Sequence, residues 1–225
     1  MPTLTSPRGV AALGLSAFLV LLSACGGAGS DDSGAAAPTE STSAPIDPDP
    51  PAPPVDPVPP RLACADLAGQ RITPSSIGLP TGGATITSAT AMAAGEAGNL
   101  HGDYCKVRGT IAPVNPASPE IQFALNLPQA WNRKTIHFGG GGFNGRLIDG
   151  TEPIRFGPAD KPAPLALGYA TYGDDSGHQS SSITDGRFAA DDEALANYGG
   201  QSLKKTRDVA QQLLRDFYGH APAHA

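Results

Sequence analysis

Four consecutive glycines follow a stretch that is typical of a β-strand. Residues 134–138 read Lys-Thr-Ile-His-Phe, and residues 139–145 read Gly-Gly-Gly-Gly-Phe-Asn-Gly. Because glycine has no Cβ, such a run can adopt positive φ angles and allow close approach to its backbone. A loop of this kind can direct backbone N–H groups toward an oxyanion that develops during ester cleavage. The pattern therefore favours a strand–loop unit in an α/β fold, with Gly141, Gly142 and Gly145 as candidate oxyanion donors.

The residues after the glycines argue against a phosphate-binding loop. Such a loop would read G-x-x-x-x-G-K-[ST] and open a helix, whereas Phe143, Asn144 and Gly145 follow here. A flexible loop without a binding role is a further alternative. The serine motif G-x-S-x-G does not occur in the 225 residues. We therefore expect part of a catalytic site in this chain, without its nucleophile.

The first 60 residues are not expected to belong to the folded domain. Arg8 and the apolar residues 10–22 are typical of an export signal, and the apolar stretch is too short to anchor the chain across a bilayer. Small residues lead into Cys25, which predicts a lipoprotein signal peptide over 1–24 and a lipid on Cys25. An ordinary secretory signal is the alternative. Residues 25–60 are rich in proline and aspartate, which is typical of a disordered linker. We expect an exported lipoprotein, held by its lipid at the outer membrane or cell surface.

The negative charge of the chain is concentrated in the linker. The formal net charge is −6, and residues 25–60 contain six acidic and no basic residues. Residues 61–225 contain 14 basic and 15 acidic residues, so the predicted domain is nearly neutral. A nearly neutral domain without a basic stripe argues against nucleic acid as a partner.

The two remaining cysteines are predicted to form a disulfide. Cys64 and Cys105 would lie in an export compartment that permits disulfides. Closing a loop of about 42 residues would stabilise the fold by roughly 4 kcal/mol in the chain-entropy model. Two free buried thiols are the alternative. No Cys or His occurs at metal-ligand spacing, so neither a metal nor another cofactor is expected in this chain.

Hydrophobic periodicity predicts one α/β domain over residues 61–225. Apolar residues recur at every second position of 121–127, and at intervals of three and four residues over 200–218, a predicted helix ended by Gly219. The alternation of strands and helices predicts a largely parallel sheet. The strand-like stretches are 104–111, 121–127, 134–138 and 168–172.

A series of short sequence blocks covers nearly all of residues 61–222. The blocks are 64–67, 104–109, 127–132, 139–145, 168–171, 173–178, 193–200, 204–210 and 217–222. In their order and spacing they resemble the tannase and feruloyl esterase family of α/β-hydrolases. The resemblance implies an incomplete α/β-hydrolase sheet that is cut before the nucleophile strand.

The same resemblance implies a serine carboxylic-ester hydrolase. Such an enzyme would cleave small esters of aromatic acids (galloyl, feruloyl or terephthaloyl) through an acyl-serine intermediate. The nucleophile, acid and histidine, and a lid that can hold a metal, would lie beyond Ala225. On this hypothesis the 225-residue chain is inactive alone. The alternative is a non-catalytic surface lipoprotein that binds a ligand.

Several other polar residues have simpler interpretations. Ser176 and His178 lie beside two aspartates, but α/β-hydrolase triads are ordered Ser, acid, His and are widely separated in sequence. We therefore predict a turn at the end of a strand, with His178 as a possible pocket-lining residue. Ser202 is expected at the start of the helix, Lys204 and Lys205 on a solvated helix face, and His220 and His224 in a solvated tail.

Overall fold

The computed structural model describes residues 56–225, which form a six-stranded sheet with helices. The predicted signal peptide, the lipidation site Cys25 and most of the linker lie outside the described residues. The strands are β1 (Arg71–Ile72), β2 (Gly83–Met92), β3 (Tyr104–Ala112), β4 (Ile121–Pro128), β5 (Thr135–Phe138) and β6 (Ala170–Asp174). The α-helices are α1 (Asp192–Ala196) and α2 (Ser202–Tyr218), joined by a kinked segment over Asn197–Gln201 in which Gly200 has a non-helical φ of 127°. Short 3-10 helices occupy Cys64–Leu67, Pro74–Ser76, Pro164–Leu167 and Arg187–Ala190.

The strands lie in the order β1-β2-β3-β4-β6-β5. The α/β class is confirmed, but the prediction of a largely parallel sheet is wrong. The first four pairings are antiparallel, and only β5 and β6 are parallel among the described strands. Short loops join β2 to β3 and β3 to β4, and loops of this length return the chain antiparallel. Periodicity reports which residues face the core, and it does not report strand direction.

Strand β4 lies in the interior of the sheet and is buried on both faces. Ile121, Phe123, Leu125 and Leu127 lie in the core as predicted, and Ala124 on the opposite face is equally buried. The predicted half-buried strand is therefore a central strand. Helix α2 covers the face formed by the odd-numbered residues. The α2 residues in this core are Val209, Ala210, Leu213, Leu214, Phe217 and Tyr218.

Helix α2 ends as predicted at Gly219, which has a left-handed φ of 74° and donates its N–H to the Arg215 carbonyl. The end of the helix is tied to the sheet by aromatic residues. The ring of Tyr218 stacks on Trp131 at 4.5 Å, and its hydroxyl donates to the Pro128 carbonyl at 2.7 Å. Both rings are fully buried.

The predicted disulfide is confirmed. Cys64 and Cys105 are bonded, with their Cα atoms 5.5 Å apart, and they join the first 3-10 helix to β3. Cys105 lies opposite Leu127, near the end of β4, and therefore at the end of the sheet that is remote from the glycines. Both cysteines belong to the hydrophobic core of the domain.

The residues after α2 return to the free edge of β5. Thr135 donates its N–H to the His224 carbonyl at 3.0 Å, and Ala223 donates to the Arg133 carbonyl at 2.8 Å. Lys134 and His224 form a parallel bridge. The His224 side chain is exposed, as expected for a tail, but its backbone continues the sheet. The backbone around His224 therefore lies parallel to β5 and is hydrogen-bonded to its edge.

Within residues 56–225, no helix has the length and apolar character that crossing a membrane requires.

Candidate active site

The seven residues 139–145, here called the glycine loop, start directly after β5. Three of their N–H groups are used inside the protein. Phe143 donates to the Ile183 carbonyl at 2.9 Å, and Asn144 donates to the Gly141 carbonyl at 3.1 Å. Gly145 donates to the Asp175 carbonyl at 3.2 Å. The second half of the loop is therefore held by one hydrogen bond within the loop and by two to residues outside it.

Gly145 is thereby removed from the three candidate oxyanion donors, because its N–H is engaged by Asp175. Its requirement for glycine is steric instead. At φ +75° a Cβ would lie 2.9 Å from Ser180 Cβ and 3.0 Å from His178 Nε2. Gly145 therefore allows the loop to pack closely against residues 178–180.

Gly141 and Gly142 keep their N–H groups available. Within residues 56–225, no hydrogen-bond acceptor is found for the N–H groups of Gly140, Gly141 and Gly142, and all three residues are exposed. The peptide between Gly141 and Gly142 has a defined direction, because its carbonyl accepts the Asn144 N–H. In a trans peptide the N–H points opposite to the carbonyl. The Gly142 N–H is therefore directed out of the turn.

Asn144 holds the glycine loop to the end of β6. It is 5 % exposed and has a left-handed φ of 41°. Its side-chain amide donates to the Asp174 carbonyl at 3.2 Å and to Ser176 Oγ at 2.9 Å. Sequence reasoning did not single out Asn144, although asparagine among glycines is a usual sign of a left-handed turn residue.

Asp174 and Asp175, at the end of β6, bind the surrounding backbone. Asp174 accepts the Ser176 N–H at 2.8 Å and lies 3.1 Å from His137 Nε2. Asp175 accepts the Gly177 N–H at 2.9 Å through Oδ1, and its burial raises the carboxyl pKa to about 7. The predicted turn at the end of the strand is therefore confirmed.

Ser176 and His178 do not form a catalytic pair. Ser176 Oγ is held by Asn144, and neither ring nitrogen of His178 has a hydrogen-bond partner within residues 56–225. His178 is 3 % exposed, and this burial lowers the pKa of its imidazole, while nearby backbone carbonyls of Ser176 and Phe143 oppose the shift. The ring lines a cavity of about 330 Å³ together with Ser180, Asp185, Arg187 and Phe188. Its role toward a ligand stays a prediction.

Three aromatic rings surround Phe143 of the glycine loop, and the four rings are here called the aromatic cluster. They are Phe143, His178, Phe188 and Tyr198. His178 stacks on Phe188 with ring centroids 4.0 Å apart, and Phe188 lies 4.7 Å from Tyr198. The Tyr198 hydroxyl donates to the Gly142 carbonyl at 3.1 Å. No local sequence pattern predicts this contact, because Tyr198 is 56 residues from Gly142.

A buried lysine side chain holds the kinked segment that carries Tyr198. Lys205 is 1 % exposed and donates from Nζ to Asn197 Oδ1 at 2.9 Å. Burial lowers the pKa of the Lys205 ammonium, and Glu193, 3.8 Å away, opposes the shift. The expectation that Lys205 lies on a solvated helix face is wrong, because its side chain projects from the apolar side of α2. Ser202, by contrast, starts α2 as expected.

No group of three or more His, Cys, Asp or Glu side chains in residues 56–225 is arranged to hold a metal ion.

A family model described as tannase and feruloyl esterase matches residues 105–225, which include the glycine loop, the β6 turn and α2. The chain belongs to the tannase and feruloyl esterase family. The matched region thus contains Gly141, Gly142 and His178, whereas Cys64 lies before it.

Among curated proteins, the chain is similar to an uncharacterized esterase of Agrobacterium fabrum. The two are 44 % identical over 155 residues, which cover 69 % of this chain and 28 % of that esterase. It is 29 % identical over 129 residues to a mono(2-hydroxyethyl) terephthalate hydrolase of Piscinibacter sakaiensis, covering 53 % of this chain and 21 % of that hydrolase. The chain therefore spans less than a third of the length of either relative.

Two solved structures from Aspergillus oryzae are also similar. An esterase matches with a TM-score of 0.48 at 22 % identity, over 70 % of this chain and 31 % of that chain. Feruloyl esterase B matches with a TM-score of 0.47 at 18 % identity, over 70 % of this chain and 30 % of that chain.

Proposed function

We propose that this chain supplies the oxyanion-binding part of a carboxylic-ester hydrolase. The N–H groups of Gly141 and Gly142 would receive the negative charge of the tetrahedral intermediate, with Gly142 as the principal donor of the loop. Support comes from the membership of the tannase and feruloyl esterase family and from the outward direction of the Gly142 N–H. Removing one such donor from an esterase costs roughly 3–4 kcal/mol of transition-state stabilisation.

The observation that carries this proposal is the pairing of the tail with β5. His224 lies opposite Lys134 in parallel, so Ala225 is level with Thr135. If the gene continues in the same register, about three further residues would bring the new strand level with Phe138, at the usual spacing of about 4.8 Å from β5. The turn after that strand would then lie beside the glycine loop, where a nucleophilic serine is required.

A serine in that turn would complete the chemistry that the glycine loop cannot perform. A histidine would remove the serine proton, and a carboxylate would orient the histidine. The N–H of the residue after the serine would supply the second oxyanion donor. The 225 residues contain no such serine motif, so we expect this polypeptide alone to lack turnover.

We propose small esters of aromatic acids as substrates of the whole protein. The similarity to a hydrolase of mono(2-hydroxyethyl) terephthalate supports this class, because that compound is an ester of an aromatic acid. We also propose that the protein is exported and held at a membrane through a lipid on Cys25. Radiolabelled palmitate incorporation that is lost in Cys25→Ser tests the anchor.

Turnover of p-nitrophenyl acetate and methyl ferulate by two proteins tests the catalytic proposal. One is the 225-residue chain, and the other is the product of the gene extended through the codons after Ala225. We expect turnover by the extended protein alone, abolished when the serine of its G-x-S-x-G motif is replaced by alanine. Turnover by the 225-residue chain that is lost in Ser176→Ala would contradict the proposal, as would an inactive extended protein.

A further inference from the structure

We infer that Tyr198 is a positioning residue that fixes the peptide unit between Gly142 and Phe143, and thereby restrains the Gly142 backbone next to its N–H; this rests on the proposed oxyanion role of the glycine loop. The Tyr198 hydroxyl donates to the Gly142 carbonyl at 3.1 Å. The next N–H, that of Phe143, donates to the Ile183 carbonyl at 2.9 Å. This peptide unit is therefore held at both of its polar groups, by two segments that are remote in sequence.

Gly142 needs such a restraint because its own conformation is unusual. Its φ is +62°, and a Cβ at this position would lie 2.7 Å from the Ile183 carbonyl oxygen. Glycine therefore admits the close approach to Ile183, but it also leaves the backbone free to rotate when the contacts on either side are lost. The Tyr198 hydrogen bond removes this freedom on the carbonyl side.

Tyr198 is itself rigidly held. Its ring packs 4.7 Å from Phe188, within the aromatic cluster. Its backbone lies in the kinked segment between α1 and α2, where the neighbouring Asn197 accepts a hydrogen bond from the buried Lys205 ammonium at 2.9 Å. The hydroxyl is thus presented from a fixed support, as precise positioning of a loop requires.

The substitution Tyr198→Phe isolates the hydroxyl, because the phenyl ring keeps its packing against Phe188. Tyr169→Phe is a matched control. Within residues 56–225 the Tyr169 hydroxyl makes no hydrogen bond, and its ring lies near Lys134 at the opposite end of β6. Both variants lose one phenolic oxygen, so differences between them report on the contact with Gly142.

The contact is tested first in the 225-residue chain, by ¹⁵N–¹H correlation spectra. We expect Tyr198→Phe to displace the amide signals of Gly142 and Phe143 and to accelerate hydrogen exchange at Phe143, while Tyr169→Phe leaves them unchanged. Unchanged Gly142 and Phe143 signals in Tyr198→Phe would overturn the inference. This arm does not depend on catalysis.

The catalytic consequence is tested in the extended protein. Loss of one net hydrogen bond predicts a decrease of about two- to tenfold in kcat for Tyr198→Phe, with KM nearly unchanged, because the oxyanion forms only in the transition state. An unchanged kcat, or a change confined to KM, would overturn the positioning role alone. An inactive wild-type extended protein would overturn the proposed function and this role with it, whatever the spectra show.

Discussion

Two glycines of the same loop should respond in opposite ways to alanine. At Gly145 the φ of +75° is left-handed, and a Cβ would lie 2.9 Å from Ser180 Cβ and 3.0 Å from His178 Nε2. A left-handed alanine costs about 1–2 kcal/mol, and a forced contact in a packed region costs about 1–3 kcal/mol. The lower conformational entropy of the unfolded alanine variant offsets about 0.4–1 kcal/mol of this cost. Gly145→Ala should therefore lower the free energy of unfolding by about 1–5 kcal/mol.

Gly141→Ala is the matched control for this prediction. Gly141 lies outside the left-handed region, and a Cβ there meets nothing within 4 Å. We expect the free energy of unfolding to change by less than about 1 kcal/mol, with stabilisation favoured. Urea unfolding of the 225-residue chain, followed by the fluorescence of its single tryptophan, Trp131, measures both variants. Equal free energies of unfolding for the two variants would refute the described packing of the glycine loop.

Three further predictions use the same unfolding measurement. Replacing Cys64 and Cys105 by serine should lower the free energy of unfolding by up to about 4 kcal/mol, because the loop closed by the disulfide spans 41 positions. An equal free energy of unfolding of the wild type with and without reductant would contradict this prediction. Tyr218→Phe should cost about 1–3 kcal/mol, since it leaves the buried Pro128 carbonyl without its donor; a loss below 0.5 kcal/mol, roughly that of a surface change, would count against the contact. Asp175 has a carboxyl pKa raised from 3.8 to about 7 by burial, so the folded state favours the protonated acid. The contribution of Asp175 to the free energy of unfolding should be most favourable below about pH 4. It should decline by on the order of 4 kcal/mol as the pH rises to about 7, and stay constant at higher pH. Asp175→Asn should remove this slope between pH 4 and 7, and identical pH profiles of variant and wild type would contradict the assignment.

Local sequence signals predicted those parts of the fold that depend on local chemistry. The period-two pattern located β4, the glycine at the end of α2 located its C-cap, and the pair of cysteines located the disulfide. The predicted direction of the strands was wrong, because it rested on an alternation of strands and helices, whereas no helix lies between β2, β3 and β4 and their short loops return the chain antiparallel.

The burial of Lys205 could have been found from helical spacing. Lys205 lies three or four residues from Ser202 and Val209, both of which are buried on the inner side of α2. Leu203, an apolar residue of the same helix, is 48 % exposed. On this helix the position of a residue therefore predicts its burial better than its chemical type does.

The candidate site was only partly predictable from the sequence. The glycine run pointed to the loop, but the choice among Gly141, Gly142 and Gly145 depends on which of their N–H groups other segments engage. The Asp175 carbonyl engages the N–H of Gly145. The contact of Tyr198 with Gly142 likewise joins residues that are distant in sequence, so no local pattern reveals it.

The central claim is that the Gly142 N–H binds the oxyanion of an ester under attack. It is tested most directly by a crystal structure of the extended protein after reaction with a p-nitrophenyl alkylphosphonate, which leaves a tetrahedral phosphorus on the nucleophile. We predict that a phosphoryl oxygen lies about 2.7–3.1 Å from the nitrogen of Gly142. A phosphoryl oxygen bound elsewhere, with the Gly142 N–H directed to solvent, would contradict it.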